Sequence, residues 1–119
     1  KDQITLRIIG WYETDCIGGW WWAEEGYKFI VVSFEIINRR PEKLYVNPWD
    51  FELETTIGNT YYYSPATYEL GGYLRDQYLS ASGGRVVGRL AFEIPRREKP
   101  GWLIYEYSWF REPIRVALL

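Results

Sequence analysis

Two carboxylates on one predicted strand are spaced for acid–base chemistry. Glu52 and Glu54 alternate with apolar residues in the segment WDFELE, so their side chains share one face of the strand. The rise of a strand separates them by roughly 6–7 Å, which is near the spacing of the two carboxylates in inverting glycosidases. Trp49, Phe51 and Leu53 are predicted to face the core, and acids alternating on the opposite face of a sheet are common. We therefore expect Glu52 and Glu54 to belong to a solvated outer face.

Other catalytic groups are scarce in this sequence. It contains no histidine, the commonest general base and transition-metal ligand. Cys16 is the single cysteine, so an internal disulfide and a multi-cysteine zinc site are excluded, and no histidine can activate its thiol. The glycine pairs lack the context of a phosphate-binding loop, and no G-x-S-x-G motif occurs. These features predict a protein that is not an enzyme and has no cofactor.

Acidic residues before and after the first glycine pair could gather around a hard cation such as calcium. They are Glu13, Asp15, Glu24 and Glu25. Their spacing is not that of an EF-hand, so a solvated acidic loop without a metal is expected. The net charge of −2 and the absence of a basic stripe argue against a nucleic-acid partner.

Aromatic residues are the remaining candidates for a binding site. They make up 19% of the chain, with seven Trp and eleven Tyr, and three tryptophans are consecutive in GGWWWAEE. In an extended segment Trp20 and Trp22 share one face while Trp21 points the other way, so all three cannot enter one core. Part of this run must lie against a flap of the chain, a partner or a ligand. The predicted binding residues are Trp20, Trp21, Trp22, Tyr68 and Tyr73.

Three interpretations of the aromatic residues remain open at this point. The tyrosine-rich segment 64–79 could fold over the tryptophans as a second apolar cluster. The aromatic residues could instead form a protein-contact surface, including that of a homo-oligomer, because Trp, Tyr and Arg are common interface anchors. They could also form a carbohydrate-binding surface, because aromatic rings can stack on sugars.

Alternation of apolar and polar residues with a period of two dominates the chain and predicts strands. It occurs in QITLRIIGWY, YKFIVVSFEIIN, WDFELE, RVVGRLAFEIP, WLIYEYSWF and IRVALL, with turn residues such as IGNT and SASGGR between them. Segment 64–79 lacks clear alternation and is predicted to be a helical turn or a long crossing loop. With 119 residues, the sequence predicts a single domain, 1–119, that forms an all-β antiparallel sandwich of about seven strands.

Two segments resemble a known family. The stretch GYKFIVVSFEIINRRPEKLYVNPWDFELETTIGNTYY, followed later by GGRVVGRLAFEIPRREKPGWLIY, resembles the DUF4352 family of immunoglobulin-like, telokin-like domains. The matching positions are Phe29 to Asn38, then Asn47, Pro48, Asp50, Phe51, Leu53, Gly58 and Tyr61, and finally Gly84, Gly88, Phe92 and Pro95. The tryptophan run is not part of the family pattern.

The resemblance implies an immunoglobulin-like β-sandwich carried by a secreted or membrane-anchored protein. It supplies no catalytic residues. We therefore expect an extracellular or cell-surface binding or assembly module that presents an aromatic surface to proteins, with carbohydrate binding as the alternative. Membrane contact is expected only through an anchor outside this chain.

Overall fold

The computed structural model describes residues 3–119, and this part of the chain forms eleven strands. The strands are β1 (Ile4–Thr14), β2 (Cys16–Ile17), β3 (Trp21–Trp22), β4 (Tyr27–Asn38), β5 (Leu44–Val46), β6 (Phe51–Thr55), β7 (Thr60–Tyr61), β8 (Gln77–Leu79), β9 (Gly84–Pro95), β10 (Pro100–Tyr105) and β11 (Ile114–Ala117). Two 3₁₀ turns, Pro48–Asp50 and Pro65–Glu69, complete the elements.

Two antiparallel sheets form the body of the domain. One has three strands in the order β1-β4-β9, and the other has four in the order β11-β10-β6-β7. Their facing sides share one apolar core, to which the first sheet contributes Phe34, Leu90 and Phe92 and the second contributes Phe51 and Leu103. The predicted all-β sandwich is confirmed, and these two sheets hold seven strands. The remaining strands form two short ribbons, β2-β3 and β5-β8.

Strand β4 lies between β1 and β9 and is buried along nearly its whole length. Its residues Ile30, Val32, Phe34 and Ile36 face the main core, as the alternation predicts. Phe29 and Val31 point to the opposite side of the sheet and are also fully buried. The first sheet is therefore covered on both faces near this end of β4.

A β-bulge interrupts strand β1, which is an edge strand of its sheet. The register against β4 shifts between Ile8 and Gly10, and Ile9 is left exposed. The extra residue changes the phase of the strand, so Ile8 and Trp11 both pack against the main core although they are three positions apart.

Asn38 closes one end of the sandwich. Its side chain is fully buried and its Nδ2 donates to the carbonyls of Glu42, Leu79 and Ser80 at 3.0–3.3 Å. Its Oδ1 accepts a hydrogen bond from the backbone N–H of Arg40 at 3.1 Å. These hydrogen bonds tie the β4–β5 turn and the loop after β8, which is distant in sequence, to the end of β4.

The structure corrects three local predictions. Trp49 was expected to face the core with Phe51 and Leu53, but it lies in the first 3₁₀ turn and is exposed. The segment WLIYEYSWF was expected to be one strand, but β10 ends at Tyr105 and residues 106–113 form a loop. Segment 64–79 contains a helical turn, as one of its two predicted forms, but it also contains a strand, β8, that was not predicted.

Gly88 lies in the middle of β9, where the backbone of a neighbouring segment approaches closely. A Cβ atom at this position would lie 2.9 Å from Cβ of Leu74, a fully buried residue. A glycine in the middle of this strand permits the close approach.

We expect Gly88→Ala to lower the free energy of unfolding by roughly 1–3 kcal/mol, because the added methyl group overpacks the core at Leu74. Urea unfolding measures the change. Gly71→Ala is the control, since no heavy atom lies within 4 Å of a Cβ placed there, and a change within about 0.5 kcal/mol is expected. Equal stability of Gly88→Ala and the wild type would contradict the close approach.

Candidate functional site

A second apolar cluster lies on the outer face of the three-stranded sheet. Phe29 and Val31 of β4 and Ala91 of β9 form its floor, and Ile17, Ala66 and Leu70 cover them. Three partly buried side chains pack at the margin of this cluster, namely Trp21, Ala23 and Tyr73. The cover thus comes from the β2-β3 hairpin and from the segment around the second 3₁₀ turn.

The β2-β3 hairpin explains why the tryptophans are next to glycines. Gly18 and Gly19 have φ angles of +68° and +79°, which side-chain-bearing residues rarely adopt. They reverse the chain so that Ile17 pairs with Trp21 and Cys16 pairs with Trp22. Because cross-strand partners share a face, Ile17 and Trp21 both reach the second cluster while Trp22 points away.

Trp20 lies outside the cluster but is held in place. It is 60% exposed, its ring centroid is 5.3 Å from that of Trp21, and its Nε1–H donates to Oε1 of Glu69 at 3.1 Å. Glu69 is the last residue of the second 3₁₀ turn. This hydrogen bond therefore links the tryptophan hairpin to the tyrosine-rich segment.

Trp22 is separate from these contacts. It is 67% exposed and lines a shallow pocket with Asp15, Glu24 and Arg96 at the end of the molecule where β4 begins. The three tryptophans therefore have three environments. Trp21 packs on the second cluster, Trp20 stacks on Trp21, and Trp22 projects from the surface.

A continuous aromatic strip runs beside the second 3₁₀ turn. We use this name for five residues, Trp49, Tyr62, Tyr63, Tyr68 and Tyr73. Successive ring centroids are 5.8 Å apart for Tyr62 and Trp49, 4.9 Å for Trp49 and Tyr63, 6.0 Å for Tyr63 and Tyr68, and 5.2 Å for Tyr68 and Tyr73. Their planes meet at 60–85°, the edge-to-face arrangement that aromatic pairs favour. Trp49, Tyr62 and Tyr68 are exposed.

Local contacts hold the aromatic strip at Trp49, which is next to its Tyr62 end, and at Tyr73, its other end. Asn47 and Asp50 form a capping box around the first 3₁₀ turn, in which the Asn47 side chain accepts from the N–H of Trp49 at 2.9 Å. This turn presents Trp49 outward. At the other end the guanidinium of Arg75 lies 4.8 Å from the ring centroid of Tyr73, a cation–π contact.

The tyrosine hydroxyl groups add hydrogen-bonding capacity to the aromatic strip. The hydroxyl oxygens of Tyr63 and Tyr68 are 2.9 Å apart and share a hydrogen bond. Burial and this hydrogen bond raise the pKa of Tyr63 to about 12. The phenol therefore stays neutral at physiological pH and can donate a hydrogen bond, but it cannot act as a general base there.

The predicted site residues fall into two groups. The first group contacts segment 64–79: Tyr68 and Tyr73 belong to the aromatic strip, Trp20 bonds Glu69, and Trp21 packs on the second cluster beside Tyr73. Trp22 alone forms the second group, because it makes none of these contacts. The sequence prediction missed Trp49 as a site residue because it assigned this residue to the core. The signal was present in NPWD, where Asn and Asp three positions apart around a proline are typical of a capped turn.

Three of the carboxylates considered for a catalytic or metal site form ion pairs instead. Glu54 accepts from Nε of Arg115 at 3.0 Å on the exterior of the second sheet. Glu13 pairs with Lys28 at 2.6 Å, and Asp15 pairs with Arg96. Within residues 3–119 no three acidic, cysteine or histidine side chains are grouped so that they could hold a metal ion.

Glu98 is a buried carboxylate near the hairpin between β6 and β7. Its oxygens accept from the hydroxyls of Thr55 and Tyr61, both at 2.9 Å, and from Nδ2 of Asn59 at 3.1 Å. Burial favours the neutral form, but these hydrogen bonds outweigh it and hold the pKa of Glu98 below its ordinary value. An acid ionised in this way cannot serve as a proton donor at neutral pH, so its role is to join the hairpin to the β9–β10 loop.

Two further features concern the cysteine and the length of the helices. Cys16 is a free, partly exposed thiol. No helix among residues 3–119 has the length and the apolar composition needed to cross a membrane.

The fold and the aromatic strip together define an all-β sandwich with an aromatic side surface. The chain belongs to the family described as a domain of unknown function (DUF4352), whose profile matches residues 12–114. This confirms the family to which the sequence was compared. None of the curated proteins matches the chain.

A solved structure shares the fold. It is the crystal structure of ycdA, a candidate lipoprotein from Bacillus subtilis, which superposes with a TM-score of 0.78 at 17% sequence identity. The superposition covers 99% of this chain and 37% of the other. The chain therefore corresponds to little more than a third of that protein.

We expect Trp21→Ala to lower the free energy of unfolding by roughly 1–3 kcal/mol, because a half-buried indole leaves the second cluster. Trp22→Ala is the matched control and should change stability by no more than about 0.5 kcal/mol. Chemical unfolding followed by circular dichroism compares the two. Equal effects of the two substitutions would contradict the different environments of Trp21 and Trp22.

The lowered pKa of Glu98 predicts a pH dependence of stability. The folded state holds this carboxylate ionised, so its contribution is fully present above the ordinary glutamate pKa of about 4.3. It is lost as the pH falls through the lower pKa of the folded state. Urea unfolding between about pH 3 and about pH 7 should show this loss in the wild type and a shallower slope in Glu98→Gln. Parallel profiles for the two proteins would show that Glu98 does not contribute.

Proposed function

We propose that this domain is a non-enzymatic binding or assembly module that acts outside the cytoplasm and contacts protein through its aromatic strip. The observation that carries the proposal is the continuity of five aromatic rings on one side of the sandwich. Three of these rings are exposed, and Trp49 is 63% exposed. Clustered Trp and Tyr side chains with an adjacent arginine have the composition of interface hot spots.

The geometry of the aromatic strip favours protein over carbohydrate as its partner. Neighbouring planes meet at 60–85°, so the rings do not form the flat platform on which successive sugars could stack. Edge-to-face rings instead leave notches that apolar side chains can fill, and the tyrosine hydroxyls can bond backbone groups. A second copy of the chain is the simplest partner, because most soluble oligomers are symmetric homo-oligomers.

The proposed location rests on the fold relative. The likeness to ycdA, described as a candidate lipoprotein, supports a place at the cell surface or in another extracytoplasmic compartment.

The double substitution Trp49→Ser/Tyr68→Ser tests the contact. We expect the wild type to form dimers or larger species at micromolar concentration in sedimentation velocity experiments. Removing two central rings should weaken this association by roughly thirtyfold or more. Trp22→Ser is the matched control, because it removes a tryptophan of nearly equal exposure that lies outside the aromatic strip.

Two results would count against the proposed contact. One is a wild-type protein that stays monomeric throughout the concentration range, and the other is equal loss of association in the control variant. A monomer whose tryptophan fluorescence changes with soluble polysaccharides would support the carbohydrate alternative instead.

A further inference from the structure

The loop between β10 and β11 carries the most exposed aromatic residues of the described chain. Trp109 is 98% exposed and Phe110 is 95% exposed. They occupy the tip of a turn in which Oγ of Ser108 accepts from the N–H of Phe110 at 3.2 Å. The N–H of Arg111 points back to the carbonyl of Ser108 at 3.4 Å. Two large rings thus project together from the body of the protein.

We call Trp109 and Phe110 the aromatic tip. It is separate from both apolar clusters and from Trp20 to Trp22. A cavity of about 540 Å³ separates its loop from the start of β1 and from the β4–β5 turn. The lining of this cavity includes Gln3, Arg40 and Glu42. Trp22 lies at the end of the molecule where β4 begins, whereas this cavity adjoins the region where β4 ends. Trp22 and the pair Trp109 and Phe110 are therefore at opposite ends of the sandwich.

The size of the tip does not suit a stable protein interface. Trp and Phe each present on the order of 150–250 Å², whereas a stable protein interface buries roughly 800 Å² on each partner. The surroundings do not enlarge the apolar area, because Ser108, Arg111 and Glu112 flank the tip and polar groups line the cavity behind it. Insertion into a bilayer has no such minimum area, because its strength grows with the apolar surface that enters.

We propose that Trp109 and Phe110 insert into the interfacial region of a phospholipid bilayer. Aromatic side chains favour this depth, where a ring meets the acyl boundary and polar neighbours meet the headgroups. The charges near the tip are balanced, since Arg40 pairs with Glu42 at 2.8 Å and Arg111 is followed by Glu112. Binding therefore depends on the two rings rather than on anionic lipid.

Vesicle binding tests this proposal with the complete chain. We expect the wild type to sediment with phosphatidylcholine vesicles, and to do so equally well in high salt or when part of the lipid is phosphatidylglycerol. Trp109→Ser/Phe110→Ser should reduce the partition coefficient by at least about tenfold. Trp22→Ser removes an exposed tryptophan at the opposite end and should leave binding unchanged.

Fluorescence identifies which tryptophan reaches the lipid. Brominated acyl chains quench a tryptophan that they contact, so quenching in the wild type should disappear in Trp109→Phe, which still binds the vesicles. Failure of the wild type to bind, unchanged binding of the double variant, or binding that requires anionic lipid and is lost in salt would overturn the proposal. These variants leave the aromatic strip intact, so the sedimentation test of protein association stands independently of this result.

Discussion

The burial of strand β4 on both faces is the constraint on which the rest of this domain depends. In a two-layer sandwich the outer face of each sheet normally meets water, and the alternation of polar and apolar residues reflects this. Strand β4 instead places Phe29 and Val31 on its outer side, and neither is accessible to solvent. A third layer must cover them. The β2-β3 hairpin and the segment around the second 3₁₀ turn supply that layer through Ile17, Ala66 and Leu70.

This cover extends over only part of the outer face. Farther along the sheet the outward residue of β4 is Glu35, which accepts hydrogen bonds from Arg7 of β1 and Arg85 of β9 at 3.2–3.4 Å. Along β4, the outer face of this sheet therefore changes from the apolar floor of the second cluster to a surface where ion pairs join β1, β4 and β9. The aromatic strip adjoins the apolar part, because Tyr73 packs at the margin of the second cluster while Tyr68 is exposed beside it. In segment 64–79, Tyr73 therefore contributes to packing, whereas Tyr68 is exposed and belongs to the proposed contact surface.

The strands were predictable from the sequence because alternation reports directly on which side of a sheet is buried. The predicted segments for β1, β4 and β9 match the structure closely, and the glycine in IGNT forms the expected hairpin with a φ angle of +91°. The candidate site was predicted less well. Alternation wrongly placed Trp49 in the core. The alternating pattern does not show that a capped turn precedes the strand, and this turn directs Trp49 outward. Alternation also gave no indication that Phe29 and Val31 were covered, because the residues that cover them lie in the short β2-β3 hairpin and in segment 64–79, neither of which shows extended alternation. The opposite orientations of Trp21 and Trp22 were anticipated by the geometry of an extended backbone. Trp20 was expected to share a face with Trp22, but it lies in the turn before β3 and its ring contacts that of Trp21, so its position and its hydrogen bond to Glu69 depend on tertiary structure.

The bulge in β1 limits how copies of this domain can combine. An edge strand with regular, unpaired amides and carbonyls invites a neighbouring molecule to extend the sheet, and repetition of that step produces fibres. The register shift between Ile8 and Gly10 breaks the even spacing of those groups along the free margin of the sheet. Growth by continuous backbone pairing is therefore discouraged along β1. A contact made through side chains closes into a complex of fixed stoichiometry when both copies use the same surface patch around a two-fold axis.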